Sequence, residues 1–504
     1  MNFLDKTIGY FNPKAGAKRV QMRAQMLMMQ GHVRKYEGAA DGRRHSGWLM
    51  RSNPSVNQLI SKDHKNLVAR SRELAINNSY AKKAPKTIAN SVVGTGILPA
   101  IAIPDTVENG QIKTVPNKDK IIAVAKAAWN EWASKLTCDF DGNFDFYGLQ
   151  HLAMSTIITS GEVLAIRKRV TMDENKYGLQ IIILEADYID AEKDTQKDSD
   201  GGWTNHGIKF SKTGKKAGYW IFDKHPSENG AKSTLIDIKD IAHVYDVDRP
   251  GQNRGVPLAS STILKQRDLD DYEDAELLGK KASACLPIFI TNSQQEGIAE
   301  EDKIEAIEPG AINYLNPGEQ VSSFGAAPNP GFDSFIKTQH RAVAAGYLMS
   351  YEQLTGDLSN VNFSSGRMGW LEFQRQVYNW QYLMLIPKFC DKIFDWFVEQ
   401  LAITNGIKDI AFTAAWTPPR REMIDPTKET NAKRTGMRTG LQSLSETVRQ
   451  DGYNPDEVIA EMKADQEKFA AAGLMNDWTP FFELQYRQTM QNVKKDTPQD
   501  DPKE

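Results

Sequence analysis

The chain has 504 residues, 40% hydrophobic and 25% charged, and a formal net charge of −3. That composition is ordinary for a folded, water-exposed protein, and the length suits roughly two to four domains. No uninterrupted apolar stretch approaches the roughly 18–20 residues that a membrane helix needs, and the opening Met1-Asn2-Phe3-Leu4-Asp5 lacks the charged-then-apolar order of a signal peptide, so folding is expected in the cytoplasm of the cell that makes the chain.

Residues 14–35 read as a helix, because Met22, Met26, Met29 and Val33 recur at steps of four, three and four. A glycine-rich break follows at 38–47. Ser55 caps a second expected helix that runs to about Tyr80, with Leu59, Leu67 and Leu74 inward and Arg70 and Arg72 on a basic face. This front part is strongly basic: residues 1–86 hold 17 Lys+Arg against 5 Asp+Glu, a surplus of +12, and the remainder carries −15. The surplus fits either a solvated helical face or an acidic partner. Pro85 is expected to start a further helix, and the turn Gly94-Thr95-Gly96 leads into an extended segment at 97–103.

Helices are expected at 117–135, on Ile121, Val124, Ala128 and Trp132, and at 146–160. The period then changes to two. Strands are expected at 162–170, 179–184, 207–210, 218–222 and 241–247. Helical spacing returns at 258–285, where six of the nine residues 268–276 are acidic. Short strands are expected at 287–291, 311–315 and 320–324, then a helix at 333–348 and a polar loop at 354–365. A long helix follows, with Trp370, Phe373, Val377, Trp380 and Met384 as core positions, a kink expected at Pro387, and Phe389, Ile393, Trp396 and Leu401 beyond it. Pro418-Pro419 marks a boundary before a helical segment at 426–473. The last dozen residues are polar and expected to be disordered. The whole reads as α+β, mainly helical.

The residues point away from catalysis. There is no HExxH, no GxSxG and no glycine-rich dinucleotide turn. Gly214-Lys215-Lys216 comes nearest to a phosphate loop, but its first glycine is misplaced and the metal-binding Ser/Thr is missing. The eight histidines are scattered, and Cys138, Cys285 and Cys390 form no CxxC pair, so they are expected to be buried thiols. The acids of 268–276 spread around their helix, which suits a solvated or channel-facing surface better than a metal site. No catalytic residue, cofactor or metal is expected.

Three segments carry a specific likeness. The first is Tyr36-Glu37-Gly38-Ala39 with Gly42-Arg43-Arg44, Trp48, Arg70-Ser71-Arg72-Glu73-Leu74, Asn77-Asn78, Tyr80 and Val92-Val93-Gly94-Thr95-Gly96-Ile97. The second is Ser350-Tyr351-Glu352-Gln353-Leu354-Thr355-Gly356-Asp357 with Val361-Asn362-Phe363-Ser364-Ser365 and Arg367. The third is Asp425-Pro426-Thr427-Lys428-Glu429 with Gly440-Leu441 and Ser443. In order and spacing they resemble the lambda-type family of bacteriophage portal proteins, which usually has Tyr where this chain has Phe363.

That resemblance implies a portal fold of wing, stem, clip and crown regions, assembled as a cyclic ring of twelve. By order along the chain, it assigns 1–257 to an N-terminal arm and wing, 258–285 to a first stem helix and 286–331 to the clip. A second stem helix takes 332–350, a tunnel loop 351–365, a long kinked wing helix 366–419, the crown 420–490, and a disordered tail 491–504. The implied function is the DNA channel at one capsid vertex of the virion, serving head assembly, packaging and ejection. Implied partners are further copies of the chain, double-stranded DNA without sequence specificity, the terminase large subunit, a head-completion or adaptor protein, and capsid and scaffold proteins, but no membrane. Asp357, Leu358, Ser359, Asn360, Val361, Asn362, Phe363, Ser364 and Ser365 become the expected DNA-facing loop, and Asp268, Asp271, Glu273 and Glu276 the expected channel-facing stem residues.

Elementary dimensions agree. Twelve helices about 9–10 Å apart leave a bore of roughly 23–27 Å, enough for a duplex about 20 Å wide. A basic wall would bind phosphates by counterion release and act as a brake, whereas an acidic one would not grip. Two alternatives stay open: another head–tail connector ring, and a metal-dependent nucleic-acid-processing enzyme using dispersed acids.

Overall fold

Short polar side chains that bond free backbone N–H groups decide where the first helices begin and end. The computed structural model describes residues 54–108, 111–113, 115–284, 288–291, 312–315, 331–407, 410–420 and 423–473. The expected helix at 14–35, the strand at 320–324, Cys285, most of the expected clip and the tail at 491–504 lie outside those residues. The chain divides into units 1–59 and 60–504. Ser55 opens α1 (Val56–Asn77), and its hydroxyl accepts the Gln58 N–H at 3.3 Å. The helix does not run on to Tyr80. Asn78 is extended, and its side chain accepts the Ala81 N–H at 2.8 Å, which starts α2 (Ser79–Val92). Pro85 lies inside α2, buried, instead of at a helix start.

After α2 the chain enters β1 (Leu98–Ala102), and a hairpin follows, β2 (Thr106–Glu108) with β3 (Gln111–Lys113). Next come α3 (Lys118–Ala133), which buries Trp129 and Trp132, and α4 (Phe146–Ser160). The ends of α4 match expectation because both stop signals are local: Asp145 accepts the Gly148 N–H at 2.8 Å, and Gly161 takes the left-handed conformation (φ 90°).

β4 (Glu162–Arg169) is the middle strand of an antiparallel sheet, between β5 (Leu179–Glu185) and a later strand at Ile241–Tyr245. Its register runs Val163↔Glu185 to Arg169↔Leu179. The first six residues of β4 are all buried, as in a strand covered on both faces. Val163 and Ala165 enter the helical core, whereas Leu164 and Ile166 enter a second cluster. That cluster is closed by the meander β6 (Trp203–Asn205), β7 (Ile208–Phe210), β8 (Lys216–Phe222) and β9 (Ser233–Asp237). β6 and β9 are additional to the expected strands. The strand at Ile241–Tyr245 is β10.

A 3₁₀ turn at Leu258–Ser261 leads into α5 (Ile263–Ala284). β11 (Ile288–Thr291) and β12 (Ile312–Leu315) pair in parallel. α6 (Phe332–Gly346) then returns along α5: Lys280 lies over Phe332, Glu273 faces His340, and Gln266 bonds Tyr347. A Cβ on Gly346 would sit 2.3 Å from the Thr262 methyl, so only glycine permits this approach.

α7 (Tyr351–Thr355) is one short turn, and α8 (Phe363–Asn379) begins the long helix. The expected kink at Pro387 takes another form. Residues Trp380–Cys390 are π-helical, with the Asp391 N–H bonded to the Ile386 carbonyl, and α9 (Asp391–Thr404) continues the run. β13 (Thr413–Thr417) pairs antiparallel with β1, placing Leu98 opposite Thr417. The expected segment at 426–473 is three capped helices, α10 (Pro426–Arg438), α11 (Leu444–Gln450) and α12 (Pro455–Ala471).

The main core converges on Trp129. Its ring meets Trp132 (5.3 Å), Phe146 (5.1 Å), Phe394 (5.5 Å), Phe397 (5.1 Å) and Trp416 (6.0 Å), drawing α3, α4, α9 and β13 together. Aromatic pairs at such distances add to the burial they bring. Phe397 is fully buried and also touches Trp132 and Tyr177. Phe397→Ala is expected to lower stability by about 3–5 kcal/mol, read from urea unfolding followed by tryptophan fluorescence. A loss below about 1 kcal/mol would show that this cluster does not join the elements.

Candidate functional site

The loop between α6 and α8 is shorter and more tightly tied than expected. α6 ends in a tight reversal in which Leu348 takes φ 54°, a costly conformation for a non-glycine residue. Ser350 then caps α7 in a reciprocal box with Gln353, and Leu354 is fully buried as its anchor. Gly356, at φ 81°, closes α7. On the other side Asn362 and Ser365 form the same reciprocal box and start α8. The free stretch is therefore 356–362, not 351–365. Phe363, Ser364 and Ser365 belong to the first turn of α8.

Within the loop, Asp357 is held by its neighbours. Its carboxylate accepts the Ser359 hydroxyl (2.6 Å), the Ser359 N–H (3.0 Å) and the Tyr351 hydroxyl (2.9 Å). Those bonds, the Ser359 hydroxyl first, bring its pKa down to about 2. Leu358, Ser359, Asn360, Asn362 and Phe363 are exposed, and Val361 is half-buried. The surface offered is thus amide, hydroxyl and apolar groups around a carboxylate already engaged. Lys428 of α10 lies 5.8 Å over the Phe363 ring.

The acids of α5 do not share one face. Asp268 and Asp271 are exposed. Glu273 turns toward α6, with Oε1 3.6 Å from His340 Nε2, and Glu276 lies 3.8 Å from Lys280. Asp270 accepts the Asn78 amide at 2.7 Å. The run therefore presents no convergent metal site. Among the described residues, one group of three metal-ligand types lies close together, Glu185, Asp187 and His225. A cation already serves it, because the Arg72 guanidinium is 2.6 Å from Asp187 and 3.4 Å from Glu185.

Sequence reasoning missed one charged centre. Glu162, the first residue of β4, is fully buried. Arg254 donates to Oε1 at 2.7 and 2.6 Å, and the Gly255 N–H donates to Oε2 at 2.7 Å. His243 Nε2–H donates to Oε2 at 2.8 Å, and Tyr219 donates to His243 Nδ1 at 3.2 Å. His64 Nε2 is 3.2 Å from Oε1. Burial alone would raise the Glu162 pKa; the Arg254 charge and the two histidine bonds outweigh it and hold the carboxyl well below the usual range. Burial pushes His243 down to about 4, against the pull of Glu162. The partners lie up to 98 residues away, so no spacing motif announces them. The centre has the character of a structural clamp, since every oxygen lone pair is met by a donor of the chain itself.

Residues 41–381 match the family model described as phage portal protein, lambda family. The probable portal protein of Halomonas phage phiHAP-1 is 26% identical over 472 residues, covering 88% of this chain and 89% of the relative. Portal protein B of Escherichia phage lambda is 22% identical over 534 residues, covering 92% and 96%. A chain in the solved virion of a native gene transfer agent particle covers 77% of this chain and 94% of its own length, at 13% identity and a TM-score of 0.40.

The buried centre sets a pH test. An unfolded histidine titrates near about 6.5, so below that pH the unfolded chain takes up a proton that folded His243 refuses until about 4. Stability from this group is complete above 6.5 and is lost as the pH falls toward 4, at about 1.4 kcal/mol per pH unit. Glu162, with its lowered pKa, adds a further loss only below the ordinary carboxylate range. His243→Gln keeps a donor to Glu162 and removes the titration. Its urea midpoint is expected to fall less steeply than the wild type's between pH 6.5 and 4.5; parallel slopes would contradict the assignment.

Proposed function

Because this chain belongs to the lambda family of phage portal proteins, we propose that it is the repeating subunit of a twelve-copy portal ring through which double-stranded DNA enters and leaves a phage head. The observation that carries the reading is the family match itself, which takes in α5, α6, the 356–362 loop and the first half of the long helix in one span. In this reading the α+β body from α1 to β10, with the long helix, is the wing. α5 and α6 are the stem, the segment between them is the clip, and α10 to α12 belong to the crown. The clip docks the terminase large subunit during packaging and a head-completion or adaptor protein afterwards. The basic N-terminal arm meets capsid and scaffold proteins. Catalysis is left to the terminase.

The physical chemistry of the proposed channel surfaces supports a passage that does not grip. α5 offers acid groups, which bind no phosphate. The loop offers Asn360 and Asn362, with the Asp357 charge already satisfied inside it. Such dipoles make transient contacts with a phosphate backbone and read no base sequence. No observation favours the nuclease alternative, because the acids of α5 point to different neighbours.

Purified protein is expected to sediment as a large ring with a central hole in negative stain. A monomer at all salt and protein concentrations would sink the ring reading. A finer test uses the loop. Ser359 is needed by Asp357, so the informative change is at exposed Asn360. Asn360→Lys adds one positive charge per copy, and counterion release should then strengthen phosphate binding and slow DNA passage, more at low salt than at high. Intact rings that package DNA normally at low salt would show that residue 360 does not line the constriction.

A further inference from the structure

The two stem helices leave complementary faces uncovered within one chain. Along α5, Leu264, Asp271 and Leu278 recur every seven residues and so form one stripe. All three are exposed, the leucines at 69% and 68%. The inward face of α5 is a different one: Gln266 and Leu269 are buried, and Tyr272 packs on Phe332 and Phe335. Along the edge of that inward face the two helices bound a groove of about 460 Å³ lined by Lys265, Asp268, Leu269, Tyr272, Phe335 and Gln339. Beside it α6 exposes Thr338, Arg341 and Ala345.

Charge complements shape. Among the described residues Asp271 has no ion-pair partner, and Arg341 stacks over the Tyr351 ring at 5.6 Å without meeting a carboxylate. Symmetry then fixes which residues can meet. A rotation about a ring axis moves no atom along that axis, so where the stem helices run along it, groups at equal height face each other across each seam. Glu273 and His340, 3.6 Å apart, set the relative height of the antiparallel helices. One residue on from His340, Arg341 lies level with position 272 of α5. That is within about 1.5 Å of the height of Asp271.

We propose that neighbouring copies of this chain join through this seam: the Leu264–Leu278 stripe of one copy seats along the α5–α6 groove of the next, and Asp271 pairs with Arg341 across the contact. The inference rests on the ring reading and names the surfaces that close it. It also takes Asp271 out of the channel wall and, with it, Asp268, which lines the groove that the neighbour fills.

A charge swap tests it on the full chain. Asp271→Arg and Arg341→Asp are each expected to raise the concentration for half-assembly about tenfold or more, because each places like charges at every seam. The double variant restores the pair in reverse and should assemble nearly as the wild type does. Sedimentation velocity over a range of protein and salt concentrations gives the readout. Both positions are exposed, and unchanged circular dichroism and melting of each variant confirm folding. Single variants that assemble like the wild type, or a double variant no better than the worse single one, overturn the seam while leaving the ring reading intact. A wild type that never assembles overturns both.

Discussion

A strand with no free face governs this structure. β4 is buried along six consecutive residues, so the chain must supply cover on both sides of it. The helical core with Trp129 takes one side, and the β6–β9 meander takes the other. The same strand begins with an ionised carboxylate out of reach of water. Removing a charge from water costs several kcal/mol unless donors replace it. The replacement comes from α1, β10 and the segment before α5, which brings Arg254 and Gly255 to Glu162. That segment presses so close that a Cβ on Gly255 would lie 2.1 Å from the Gly161 carbonyl oxygen. The lead into α5 is therefore fastened to the sheet just before the helix departs.

Charge is used in two ways in different parts of the molecule. In the body it is spent internally. Arg167 bonds Glu399 across 232 residues, Arg169 grips Asp240, and Arg72 grips Asp187. On α5, by contrast, Asp268 and Asp271 stay exposed. These two carboxylates are charges that the fold leaves to solvent, on the helix proposed for the stem.

What could be read in the sequence follows from how local the governing interaction is. α4 was legible to the residue, because Asp145 and Gly161 terminate it from adjacent positions. The break at Asn78 is equally local but was hidden by apolar spacing that continues across it. β13 was missed because its strand partner among the described residues is β1, more than three hundred residues earlier. β6 is three residues long, too short for alternation to register. The loop residues were legible as a polar stretch, but its two capping boxes, which shorten it to 356–362, show only as Ser350 with Gln353 and Asn362 with Ser365. The Glu162 centre left no pattern, since a strand begins there whether or not its first side chain is charged.

The π-helical stretch at Trp380–Cys390 solves a problem of phase. At about 100° per residue, an unbroken α-helix would place the buried face of α9, Ile393, Trp396, Phe397 and Gln400, roughly half a turn away from that of α8, Phe373 and Val377. Wider turns carry more residues each and rotate the later face back toward the same core. The trace in the sequence is a step of five from Met384 to Phe389 where steps of three and four had ruled. Residue number in this stretch thus acts as a gear setting between two coaxial helices. Substitutions that keep the apolar residues leave the gearing alone, whereas losing even one exposed residue such as Leu383 would swing Phe394 and Phe397 away from Trp129.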